Sequence, residues 1–214
     1  MKRLRFFLSV VICLLFVSAA HAGLINGDWS TGDETGWTEW RAPWGYKEIW
    51  NASGGVGRLS TSDNASFGWY QVVAVPAGTP VTVDALWTGH LDIGNPGWTE
   101  VMLFTSANPL EDWAARCDAG AAGDIAFKKD VWGMNPPTDW GWELASLSPH
   151  PSGNHGSVTS LGYVVVGLKL GGFGGDEKWT SWDNIVLTGV PEPATMLLLG
   201  LGLMGLAGMR RFRK

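Results

Sequence analysis

Short apolar runs stand between polar, turn-forming clusters along much of this chain, and helical periodicity is hard to find. Residues 67–75 and 81–87 are rich in β-branched and aromatic side chains and are joined by Pro76-Ala77-Gly78-Thr79-Pro80, a turn by its chemistry, which predicts two neighbouring antiparallel strands. Residues 98–105, 124–132, 141–147, 162–170 and 178–188 each have strand length and are bounded by Gly, Pro, Asn or Ser. Many short strands separated by punctuated loops predict an all-β antiparallel sandwich or barrel. A helical turn is expected near residues 109–117, with Asn108 as its cap, as a loop decoration. Residues 148–157 read as a long polar loop.

The two ends follow other patterns. Lys2, Arg3 and Arg5 precede an apolar stretch over 6–17, and Ala20-His21-Ala22 then has the small-x-small form of a signal peptidase site. Residues 1–22 are therefore expected to be a signal peptide, cleaved after Ala22. At the other end Pro191-Glu192-Pro193 is followed by an uncharged run over 194–209 and by Arg210, Arg211, Arg213 and Lys214. The prolines predict an extended junction. A helix over the run covers about 24 Å against a hydrocarbon core of about 30 Å, a short transmembrane segment whose basic flank is expected in the cytoplasm. Motif, helix and basic cluster in this order resemble the PEP-CTERM sorting signal of exopolysaccharide-producing Gram-negative bacteria. The resemblance implies processing by an exosortase-type enzyme, transient anchoring in the inner membrane, and delivery to the cell envelope or an extracellular matrix. The expected organisation is a signal peptide over 1–22, a β-sandwich domain over 23–189 and a sorting signal over 190–214.

Charge looks different once the ends are set apart. Nineteen of the twenty acidic residues but only eight of the fifteen Lys and Arg lie in 23–189, a balance of −11 where the whole chain carries −5. Such a surface repels nucleic acid and suits uncharged polymers or divalent cations. Cys117 is the one cysteine of the domain, so no intramolecular disulfide forms and a buried thiol is expected. All fourteen Trp fall between Trp29 and Trp182, more than a core of this size needs, and part of them is expected at the surface.

A second resemblance is carried by the beginning and end of the domain. Leu24-Ile25-Asn26-Gly27-Asp28-Trp29 with Gly36-Trp37 resembles the opening of galactose-binding-like jelly rolls, the fold of many carbohydrate-binding modules. The segments Tyr163 to Lys169 and Trp179-Thr180-Ser181-Trp182-Asp183-Asn184-Ile185 are similar to the closing strand pair of those modules. The resemblance implies polysaccharide as ligand and one structural Ca2+ tied to Asp183. The family's acidic residue after the opening aromatic is Ser30 here, which leaves Asp28 or a backbone carbonyl to complete the ligands.

No catalytic constellation emerges from the remaining residues. His90, His150 and His155 are not paired in sequence with a nucleophile, and His150 and His155 fall in the polar loop, where solvated side chains are expected. Gly171-Gly172-Phe173-Gly174-Gly175-Asp176 matches one copy of a glycine-aspartate calcium repeat without the stacking neighbours such repeats need, and reads as a flexible loop. Sugar binding needs an aromatic face with hydrogen-bonding groups alongside. Trp44 and Tyr46, Trp113 with Arg116, and Trp132 with Asn135 are the candidate platforms, whereas Trp87 and Trp182 fall within strands and are expected in the core. The expectation is an exported, non-enzymatic polysaccharide-binding protein. The alternative is a structural matrix or adhesion protein with no specific glycan site, followed by a glycan-active enzyme.

Overall fold

The computed structural model describes residues 23–92, 94–132 and 139–190. Ala20, Ala22, Pro191, Glu192, Pro193, Asn135 and the apolar run over 194–209 lie outside them. Gly23–Val190 forms one compact unit. Eleven strands run in the order β1 (Thr38–Arg41), β2 (Ile49–Ser53), β3 (Val56–Thr61), β4 (Ala65–Ala74), β5 (Pro80–His90), β6 (Gly97–Ser106), β7 (Ile125–Asp130), β8 (Asp139–Leu144), β9 (Ser157–Thr159), β10 (Tyr163–Gly172) and β11 (Lys178–Thr188). A helix, α1 (Trp113–Ala119), separates β6 from β7.

The strands build two antiparallel sheets, one ordered β1-β4-β10-β6-β7 and the other β2-β3-β11-β5-β8, with β9 added beside β5. The sandwich predicted from the short strands and punctuated loops is therefore present. Its strand neighbours differ from the sequence expectation, because β4 and β5 lie in different sheets. The Pro-Ala-Gly-Thr-Pro turn carries the chain across the core instead of folding a hairpin. β10 and β11 are likewise split, each central in its own sheet.

Between the sheets, alternate residues of both inner faces interlock. Val164, Val166, Leu168 and Leu170 of β10 meet Val81, Val83, Ala85 and Trp87 of β5 and Trp182 of β11 in one cluster. Trp29, Trp69, Trp87 and Trp182 are fully buried. Trp29 stacks on Trp37 with centroids 5.4 Å apart and leans on Trp69 at 5.0 Å, contacts of about 0.5–1.5 kcal/mol beyond their area. Trp87 and Trp182 are core residues, as their strand positions predicted.

Three further expectations are corrected. The helix is capped by Asp112, whose Oδ1 accepts the N–H of Ala115, while Asn108 accepts the N–H of Leu110 one turn earlier. It ends at Gly120 in the left-handed region, φ 54°. Nor is it a decoration, because it closes a second apolar cluster of Trp40, Met102, Phe104, Trp113, Cys117 and Val165 on the outside of the first sheet. His150 is buried rather than solvated, and burial, seconded by the nearby Lys128, pulls its pKa down.

Candidate functional site: an aromatic patch on the first sheet

Side chains of β6 show how the outer face of the first sheet is divided. Val101 and Leu103 point into the main core, so the pleat turns Trp98, Glu100, Met102 and Phe104 outward. Met102 and Phe104 lie beneath α1. Glu100 belongs to a row that runs in register across five strands as Trp40, Gly68, Lys169, Glu100 and Lys128. Lys169 is buried, donates to the carbonyls of Cys117 and Asp118 at 3.1 and 2.9 Å, and stands 3.6 Å from Glu100. Its cation thus meets the carbonyl end of the helix dipole and pins α1 to the sheet.

Past that row the face opens, and four aromatic rings gather there. Trp98 lies across Gly171 so closely that any Cβ at that position would enter the indole. Trp132 stacks on Trp98 at 5.6 Å, Phe173 sits 5.8 Å from Trp98 and 6.3 Å from Trp132, and Trp44 is parallel to Phe173 within 16° at 6.4 Å. Trp44, Trp132 and Phe173 expose 41%, 54% and 47% of their surface, so the patch is open to a ligand. Of the candidate platforms, the structure brings together Trp44 and Trp132.

Trp98 and Phe173 were missed by the sequence reading, although signals for both existed. Strand alternation places Trp98 on the same face as Glu100, a polar-facing position for an indole. Phe173 is the sole apolar side chain in a glycine loop that has nowhere to bury it.

Tyr46 is 64% exposed near the patch, its N–H donating to Asn64 O, but it makes no ring contact among the described residues. Trp113, expected as a platform, is a correction. Only 8% exposed, it packs on Phe104 under α1, and a sugar has no face to reach. Arg116 is equally committed, to Asp124 at 2.7 Å, Glu111 at 2.9 Å and the Phe104 ring.

The loop that carries Phe173 is tied by hydrogen bonds to two neighbouring loops. The N–H of Phe173 donates to Pro96 O, that of Gly174 to Asn64 Oδ1, and that of Asp176 to Asp92 Oδ2. The glycine-aspartate segment is thus a knotted support, not the loose loop expected. Elsewhere a hollow of about 330 Å³ opens beside β1, lined by Glu39, Trp40, Arg41 and Trp50. Near it the Glu34 carboxyl is pushed up to about 7, first by burial and then by Glu39.

The donors proposed for calcium do not fit the ion as a set. The opening and closing segments do meet, through the N–H of Ile185 donating to Gly27 O at 2.8 Å. Asp28 Oδ1, however, accepts the N–H of Ser30, and Asp183 accepts the backbone N–H and the side-chain amide of Asn184. Each carboxylate closes its own turn. Among the described residues, no group of three or more acidic, His or Cys side chains is placed to hold a metal.

Comparison with known proteins bears on the two parts of the chain separately. Residues 189–214 match the family model of the PEP-CTERM protein-sorting motif. The chain ends in a PEP-CTERM sorting motif. No curated protein matches the chain. Solved structures similar to it include TmCBM61 in complex with β-1,4-galactotriose, at 15% identity over 77% of this chain and 97% of that one, with a TM-score of 0.43. A family 16 carbohydrate-binding module shares 16% identity over 77% and 98% of the two chains, with a TM-score of 0.39. The enzymatically active domain of tailspike protein 4 from bacteriophage CBA120 shares 8% over 79% of this chain and 22% of that one, at 0.47.

Proposed function

We propose that this PEP-CTERM protein is exported, sorted through its C-terminal motif, and binds polysaccharide without catalysis through Trp44, Trp98, Trp132 and Phe173. The observation that carries the reading is the four-ring patch, in which three rings stand half exposed and the Phe173 loop is held by hydrogen bonds. Rings left exposed cost hydration free energy that burial against a ligand recovers, and the apolar face of a pyranose matches them. A domain balance of −11 favours neutral or weakly charged glycan over polyanions.

The sorting motif supports processing by an exosortase-type enzyme after transient insertion in the inner membrane, with release into the envelope or matrix. Mass spectrometry of the protein recovered from its host is expected to show loss of residues 194–214, and an intact Lys214 in the mature form would refute the processing.

Binding is tested on residues 23–190, which hold all the described contacts of the sandwich in one compact unit. A glycan array is expected to find a neutral polysaccharide that shifts Trp fluorescence and whose affinity changes little between low and high salt. Binding to no glycan favours the structural-matrix alternative, and turnover of a bound glycan favours the enzyme.

A further inference from the structure

We infer that Lys178 is the positioning residue of the aromatic patch, an internal ammonium that does the work of a structural cation in holding the Phe173 loop. The inference rests on the reading of the patch as a glycan site and adds what fixes its geometry.

Lys178 opens β11 and is fully buried, and its ammonium is held by backbone carbonyls. Its stem runs past Gly97 and Gly172, where any Cβ would crowd its methylenes, so the end of the core is closed by four carbons of lysine. The ammonium then emerges under the glycine loop and donates to Gly174 O at 2.6 Å and Asp176 O at 3.2 Å. Those two carbonyls flank Gly175, which sits at φ 93° and packs on Asn95. A cation that collects successive loop carbonyls is the role a bound metal plays in many exported loops. Here the charge is covalently attached; burial lowers its pKa, and the nearby Asp92 and Asp176 act against that.

The loop so held presents Phe173, and Phe173 contacts all three other rings of the patch. Asn64 and Pro96 hold the N-terminal half of the loop through Gly174 and Phe173, whereas Lys178 is the group that gathers its carbonyls. Removing the charge but keeping the stem, as in Lys178→Met, is therefore expected to loosen residues 173–177 while the sheets stay as they are.

The experiment compares wild type and Lys178→Met over residues 23–190. Far-ultraviolet circular dichroism is expected to stay the same. Hydrogen exchange is expected to accelerate at least tenfold at 173–177 and not in α1, and the near-ultraviolet signal of the coupled Trp98 and Trp132 rings is expected to fall. Affinity for the glycan identified by the array is expected to drop about tenfold, and EDTA is expected to alter none of these readings in wild type. Unchanged exchange at 173–177 overturns the inference even where no glycan binds, which separates its failure from that of the binding reading. Wild-type affinity in a folded Lys178→Met overturns it as well. If that variant does not fold, nitrogen-15 spectra of wild type decide, because an ammonium held by two loop carbonyls gives a slowly exchanging side-chain signal, and rapid exchange with water refutes the assignment.

Discussion

The two halves of the first sheet's outer face are built from the same kind of residue and have opposite fates. Under α1, Trp40, Trp113 and Phe104 are sealed into a second core; beyond the Lys169–Glu100 row, Trp44, Trp98, Trp132 and Phe173 stay open. Aromatic content is therefore a poor guide to binding in this chain, and the deciding factor is whether an element covers the rings. The charged row marks the border, because buried Lys169 both anchors the helix end and pairs with Glu100.

Truncation should separate the halves most sharply. Trp113→Ala opens a cavity under α1 and is expected to cost about 3–5 kcal/mol, with glycan affinity per folded molecule unchanged; urea unfolding with parallel titrations checks this. A large affinity loss would place Trp113 in the ligand site after all. In the open half the pattern should invert. Trp98→Ala or Trp132→Ala is expected to cost about 1–3 kcal/mol of binding and little stability, measured by calorimetry on samples matched by circular dichroism.

How much of this was readable beforehand follows from the physics of each signal. Strand positions were legible because β-branched and aromatic richness and turn punctuation are local signals, as in β6 and β10. Which strands share a sheet was not, since the turn after Val75 carries the same Pro and Gly chemistry whether it closes a hairpin or crosses the core. Trp113 looked like a loop residue for a related reason. Its burial depends on Phe104 and Val165, which chain distance does not bring near. Trp44 and Trp132 were legible as exposed loop rings, while Lys178, an ordinary charged residue in sequence, becomes a support only when β11 meets the glycine loop.

Electrostatics offers a smaller contrast between the patch and the β1 edge. Glu34, raised from 4.5 to about 7 by burial and by Glu39, is bound more tightly to its proton in the folded state. Its contribution to stability is thus full below about pH 4.5 and is lost as pH rises through about 7. Glu34→Gln is expected to raise the melting temperature at pH 8 by about 2 °C after allowance for solvent screening, with no gain at pH 4. An equal gain at both pH values would assign the effect to something other than this proton. Smallest of all is the expected response to EDTA, a melting temperature unchanged within error, because no acidic cluster joins Asp28 and Asp183 among the described residues. A clear drop in metal-loaded protein would restore the calcium site.

Cys117 gives the sealed half a property of another kind. Its thiol is wholly enclosed, and burial pushes its pKa to about 12, so almost no thiolate exists near neutrality. Cys117 is the one cysteine of residues 23–190, and an exposed thiol there would be open to cross-linking into dimers. Here the sulfur reacts only during the brief intervals when α1 lifts from the sheet. The rate at which a thiol reagent labels that single atom in residues 23–190 therefore serves as a clock for helix opening, readable without a mutation.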